Sequence, residues 1–165
     1  MASREGVTVM IAPLERTILE YSTAQVWISN NSGRPLPIAP QWFAASLEGG
    51  ASSAAVQDTV VLSDIRKHAS GRDIEELVRA YESLLLGLPD EKAVGYYEQR
   101  KRAAMASGGK MRAAIMANVI ILPETRLRPG ETIDGTLFFR AGGKLRAKVT
   151  AFSADLGGRH FEFAQ

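Results

Sequence analysis

The chain has 165 residues, 45% of them apolar and 23% charged, with a formal net charge of +2. This is the balance of a folded globular domain rather than a disordered segment, and a surplus of two charges is too small to argue for nucleic acid. Cysteine is absent and the histidines are only His68 and His160, so disulfides and thiolate metal sites are excluded, a multi-histidine metal site is not expected, and no cofactor is expected.

No apolar run approaches the roughly 20 residues of a membrane-spanning helix. The first six residues, Met-Ala-Ser-Arg-Glu-Gly, have no apolar core and do not read as a signal peptide.

Residues 7–11 predict a first strand, with Val7, Val9 and Ile11 on one face. A second β region covers 16–21 and 25–30, where Val26, Trp27 and Ile28 are strong β-formers. Asn30-Asn-Ser-Gly-Arg-Pro35 is a dense turn signal. Pro35, Pro37 and Pro40 then keep the backbone extended and out of a central ladder. Residues 41–47 resume β character around Trp42, Phe43 and Leu47, 49–55 read as a loop, and 56–62 as one more strand.

The apolar period then changes. Ile74, Leu77, Val78, Tyr81, Leu84, Leu85 and Leu88 form one helical stripe. Ser70 is its expected N-cap with Asp73 in a capping-box position, and Gly87-Leu-Pro89 is its expected end. A second helix from Asp90 to about Ala106 completes a helical hairpin. Residues 110–122 are expected to form a short helix to about Asn118 and then a strand.

Leu127-Arg-Pro-Gly-Glu-Thr-Ile-Asp-Gly-Thr-Leu-Phe-Phe139 is the densest β signal in the chain. Pro129 presets φ and Gly130 supplies φ > 0, so 128–131 reads as a type II turn between strands. Strands at 133–139, 145–152 and 160–163 follow, separated by hairpin-type loops at 140–144 and 155–159. Strands, then helices, then strands predict one mainly β domain over 1–165, with a helical insert at about 70–118.

Two passages carry a resemblance: 26–38 leading into Gln41-Trp-Phe43, and the Leu127–Phe139 stretch. Together they resemble the bacterial immunoglobulin-like, or telokin-like, domains of envelope proteins and lipoproteins, over about two thirds of the chain. The resemblance implies an immunoglobulin-like β-sandwich with an inserted α-helical hairpin. It further implies a non-enzymatic accessory module, periplasmic or outer-membrane-associated, whose export signal or lipid anchor is expected to lie outside these residues. Its partner is expected to be a protein of the cell envelope, contacted through the insert.

Leu77 and Tyr81 on the helical stripe are candidate contact residues, although such a stripe can equally pack on its own domain. Arg100, Lys101, Arg102, Lys110 and Arg112 form the densest basic cluster, with no acid between Glu98 and Glu124. It reads either as a solvated helix end or as the footprint of an anionic membrane surface or acidic protein face. No RNP motif, zinc finger or helix-turn-helix supports nucleic acid. His68 with Asp64, and Ser63 or Ser70, raise a catalytic reading. No Gly-x-Ser-x-Gly elbow is present, so no catalytic residue is assigned. The competing expectation is a small-ligand carrier or hydrolase with a cleft around His68, between insert and sandwich.

Overall fold

The computed structural model describes residues 1–85, 97–99, 101–102, 117–140 and 148–164, apart from the side chains of Glu15 and Leu85. It is mainly β. In chain order the strands are β1 (Ala2–Arg4), β2 (Val7–Ile18), β3 (Tyr21–Asn30), β4 (Leu36–Ile38), β5 (Phe43–Leu47) and β6 (Ser52–Ala54). Helices α1 (Asp58–His68) and α2 (Gly71–Leu85) follow, then β7 (Thr125–Leu127), β8 (Thr132–Arg140), β9 (Val149–Leu156) and β10 (Arg159–Ala164). Two four-stranded sheets run in the orders β1-β2-β3-β8 and β10-β9-β5-β6, and β4 pairs with β7 alone. All these pairings are antiparallel.

Side-chain alternation explains how one strand pair serves two cores. Ala24, Val26 and Ile28 of β3 and Ile133, Leu137 and Phe139 of β8 face inward. There they join Phe43, Ala45, Phe152, Ala154, Leu156, Phe161 and Phe163 of the second sheet in one apolar cluster. The opposite face carries Tyr21 and Phe138, which join Leu14 and Ile18 of β2 and Val61, Ile65, Ile74, Leu77 and Tyr81 of the helices in a second cluster.

The helices begin earlier than expected. The predicted strand at 56–62 is instead the start of α1. Its valines suit a strand locally, but Val61 and Ile65 at i and i+4 bury one face, while Asp58 in the first turn and Arg66, Lys67 and His68 in the last complement the helix dipole. The expected cap of α2 is present: the Ser70 N–H and hydroxyl both donate to Asp73 Oδ2 at 3.0 and 2.6 Å, and the Asp73 N–H donates back to Ser70 Oγ at 3.2 Å. These bonds hold the Asp73 carboxyl below the usual range. Of the predicted second helix, residues 97–99 and 101–102 are described and helical. The strand expected after Asn118 does not form. Residues 117–120 are helical, and Ile121 makes an isolated parallel bridge to Thr136.

That bridge needs a residue without a side chain. A Cβ on Gly135 would lie 2.5 Å from Leu122 Cα, and the Leu122 N–H reaches the Thr136 carbonyl at 3.1 Å. Together with Val56, whose N–H donates to the Phe138 carbonyl at 2.8 Å, this segment covers the outer edge of β8 and leaves less of it open to foreign strands.

The Pro-Gly turn forms as predicted, with Gly130 at φ 80° and the Glu131 N–H on the Arg128 carbonyl at 3.1 Å. Asn30, fully buried, ties it to the Asn-rich turn. Its side-chain Nδ2 donates to the carbonyls of Arg34 (2.8 Å) and Leu127 (3.0 Å), and its Oδ1 accepts from the Ser32 N–H (3.1 Å) and hydroxyl (2.7 Å). Its backbone bonds both Glu131 and Gly130. Asn30→Ala deletes four side-chain bonds and strands buried carbonyls, so a loss of about 3 kcal/mol is expected by urea denaturation. A change below about 0.5 kcal/mol, the size of an ordinary surface substitution, would contradict this role for Asn30.

Asp134, fully buried on β8, accepts the Tyr81 hydroxyl of α2. Burial lifts its carboxyl to about 7. The unfolded chain releases this proton near the ordinary value of 3.8, while the folded chain holds it until about 7. Stability should therefore fall as pH rises between those values and level off above. Asp134→Asn keeps an acceptor for Tyr81 and removes the titration. Relative to wild type it should gain about 2–4 kcal/mol between pH 4 and pH 8 in denaturant titrations. Parallel pH profiles for the two proteins would refute it.

Candidate functional site

Where α1 meets the ends of β3 and β8, a concavity of about 460 Å³ is lined by Leu19, Glu20, Tyr21, Asp64, His68 and Arg140. Three local features build it. The β2–β3 turn places Leu19 and Glu20 at the rim, with Leu19 held at φ 53°, a left-handed conformation that costs a non-glycine residue energy. The β3–β8 register sets Tyr21 directly opposite Arg140. On α1, Asp64 and His68 stand at i and i+4 and so share a face.

Tyr21 is the wall of the site. Its ring meets Phe138 edge-on at 5.9 Å, and its hydroxyl donates to Asp64 Oδ2 at 2.5 Å. Burial raises the phenol above its ordinary value, the Asp64 bond adds to this, and Arg140 opposes it. Tyr21 is thus a protonated donor at neutral pH and a poor nucleophile. The Arg140 guanidinium lies 5.9 Å from the Tyr21 ring centre, 3.9 Å from Asp64 and 4.0 Å from Glu20. Those two ion pairs are long and the Arg140 side chain is 56% exposed, while the Tyr21 hydroxyl beside the guanidinium is the main cause that raises its proton affinity.

Among the described residues the lining contains no serine, threonine or cysteine. Ser63 lines a separate concavity of about 350 Å³ with Thr59, Leu62, Arg66 and Lys67, and Ser70 is a helix cap. The nucleophile–base pair that covalent hydrolysis requires is therefore not assembled around His68. Among the described residues no group of three or more His, Cys, Asp or Glu side chains could hold a metal ion. The described lining residues bring together the Arg140 guanidinium, the carboxylates of Glu20 and Asp64, the Tyr21 phenol and the His68 imidazole beside the aliphatic Leu19.

Leu77 and Tyr81, expected as contact residues, are 1% and 0% exposed. The stripe packs on the outer face of β2, β3 and β8, so neither side chain presents a surface to a partner. Lys101 bonds Glu82 at 2.6 Å and sits 5.6 Å from the Tyr97 ring centre, while Tyr97 donates to the same carboxylate at 2.7 Å. Burial would raise the Glu82 carboxyl, but these two bonds outweigh it and hold it below the usual range. Lys101 is thereby a buttress between helical segments. Arg102 is exposed, and Arg100, Lys110 and Arg112 lie outside the described residues.

His68 and Asp64 were visible in the sequence as a pair; Leu19, Glu20, Tyr21 and Arg140 were not. Residues 21, 64 and 140 converge only through the β3–β8 register and the seating of α1, which no local motif encodes. Comparison of the chain with protein-family models, curated proteins and solved structures gives no match in any of the three.

Tyr21→Phe removes a bond to a half-buried carboxylate. It should cost about 1 kcal/mol in urea denaturation and leave the fold intact, because the ring contacts persist. A stability equal to wild type would show that the Tyr21–Asp64 bond does not hold α1 in place.

Proposed function

We propose that this chain is a non-enzymatic, immunoglobulin-like binding module of the cell envelope that contacts a protein partner through a helical insert. The observation that carries the reading is the strand order. If β2, β3 and β8 are taken as strands A, B and E, and β5, β6, β9 and β10 as C, C′, F and G, the sheets read A-B-E and G-F-C-C′. This order is compatible with an immunoglobulin-like sandwich in which α1 and α2 follow C′ in the chain, where strand D would otherwise come. The envelope assignment rests on the turn motifs at 30–35 and 127–139. That no serine, threonine or cysteine lines the pocket among the described residues is in keeping with a role without catalysis.

With Leu77 and Tyr81 buried, contact falls to the outward face of α1. Thr59, Val60, Ser63, Arg66 and Lys67 recur there at helical spacing, and Val60 is 38% exposed. Arg66 and Lys67 suit an acidic protein face. Crosslinking in envelope fractions should capture a partner with the native chain. The triple variant Val60→Asp, Arg66→Glu, Lys67→Glu should lose that species while staying folded, with stability lowered only by the roughly 1–2 kcal/mol that two reversed charges at the end of α1 cost. An identical crosslinked species from the variant would remove α1 as the contact surface.

A second reading, a small-ligand carrier, is favoured by one observation: the polar concavity around His68 at the junction of α1 with β3 and β8. Its volume lies within the range of ligand pockets, roughly 300–1,000 Å³.

A further inference from the structure

We infer that the Tyr21–Asp64–Arg140 pocket takes a small zwitterion of the α-amino acid class, with its carboxylate on Arg140 and its ammonium on Asp64 and Glu20. The inference deepens the second reading and rests on it, namely that this pocket holds a small ligand.

Charge geometry carries the argument. Arg140 stands 3.9 Å from Asp64 Oδ2 and 4.0 Å from Glu20 Oε1, so opposite charges alternate across the pocket mouth at a spacing of one small functional group. In an α-amino acid the ammonium and carboxylate groups sit on the same carbon, and the nitrogen and the nearer oxygen lie roughly 3 Å apart. Laid antiparallel against the Arg140–Asp64 pair, each ligand charge meets its opposite. The ligand's carboxylate can accept two parallel bonds from the guanidinium fork, at distances well inside the present long pairs.

The remaining lining is consistent with this pose. Asp64 is held in place by the Tyr21 hydroxyl, which is itself fixed by its edge-on contact with Phe138, so an acceptor for the ammonium is already oriented. Among the described lining residues the two carboxylates outnumber the one guanidinium, which disfavours an ordinary anion. Glu20, Asp64 and Arg140 together carry a formal charge of −1, and a phosphate or a plain carboxylate placed on Arg140 would face both acids. A plain cation would satisfy the acids but crowd the guanidinium. Leu19 and the open side of the pocket leave room for an aliphatic side chain.

The test is a titration of the isotope-labelled chain followed by amide shifts, using L-leucine, N-acetyl-L-leucine, which keeps only the negative charge, and L-leucine amide, which keeps only the positive. The expected result is saturable shifts with L-leucine at Glu20, Tyr21, Asp64, His68 and Arg140, with either blocked analogue at least tenfold weaker. Arg140→Gln and Asp64→Asn, both at partly exposed side chains, should each weaken L-leucine at least tenfold. If no probe moves these residues, the small-ligand reading and the inference fall together. If a blocked analogue binds as tightly as L-leucine, the pocket is a small-ligand site and the zwitterion assignment is wrong. Binding of L-leucine that is insensitive to Arg140→Gln would likewise overturn it.

Discussion

The structure depends on the register of one strand pair. Nine residues of β3, Tyr21 to Ser29, lie opposite nine of β8, and alternate side chains of this ladder feed two different cores. A slip by one residue would turn Val26 and Ile28 toward the helices and Tyr21 toward the second sheet, so the two clusters enforce the register jointly. The ladder is a wall with the second sheet packed on one face and the helices on the other.

Three contacts fix the wall along its length. At one end Asn30 bonds the turn that follows β3 and the turn that precedes β8, so both chains reverse together. Further along, Asp134, opposite Trp27, accepts from Tyr81 and anchors α2. At the far end Tyr21, opposite Arg140, bonds Asp64 and anchors α1. The outer face is unusually polar for a surface that a helix covers: Thr23, Gln25, Asp134 and Thr136 are all buried there. Gln25 Nε2 and Thr136 Oγ1, on residues paired across the ladder, have no hydrogen-bond partner among the described residues. Unsatisfied buried groups cost stability, so apolar contacts around Val61, Ile65, Ile74 and Leu77 must offset them to keep the helices seated. The same seating creates the pocket, since Asp64 and His68 reach Tyr21 and Arg140 only when α1 lies against the ladder's end.

Much of the β framework was legible in the sequence because its signals are local. Gly130 after Pro129 dictates a turn, the prolines at 35, 37 and 40 confine β4 to a two-stranded pairing, and the Ile74–Leu84 stripe with its Ser70–Asp73 cap specifies α2. The misreadings have a common cause. Residues 56–62 look like a strand because Val56, Val60 and Val61 favour one, yet tertiary burial of Val61 with Ile65 makes the segment a helix. Residues 119–122 are β-formers held to a helical turn and a single bridge from Ile121 to Thr136, beside Gly135. The stripe residues Leu77 and Tyr81 could have faced a partner or their own domain; the polar face of β3 and β8 that covers them is spread over two strands more than a hundred residues apart. Of the pocket only His68 and Asp64 were visible, for the same reason.

On this account the helices are an integral layer of the fold rather than an appendage, and the pocket beside Arg140 depends on that. Native-state amide hydrogen exchange tests it most directly. The account predicts that amides of α2 from Leu77 to Tyr81 open with the same free energy as the β3 and β8 amides around Val26 and Leu137, as one cooperative unit. Exchange of α2 through a separate opening of lower free energy, with the ladder still protected, would contradict it.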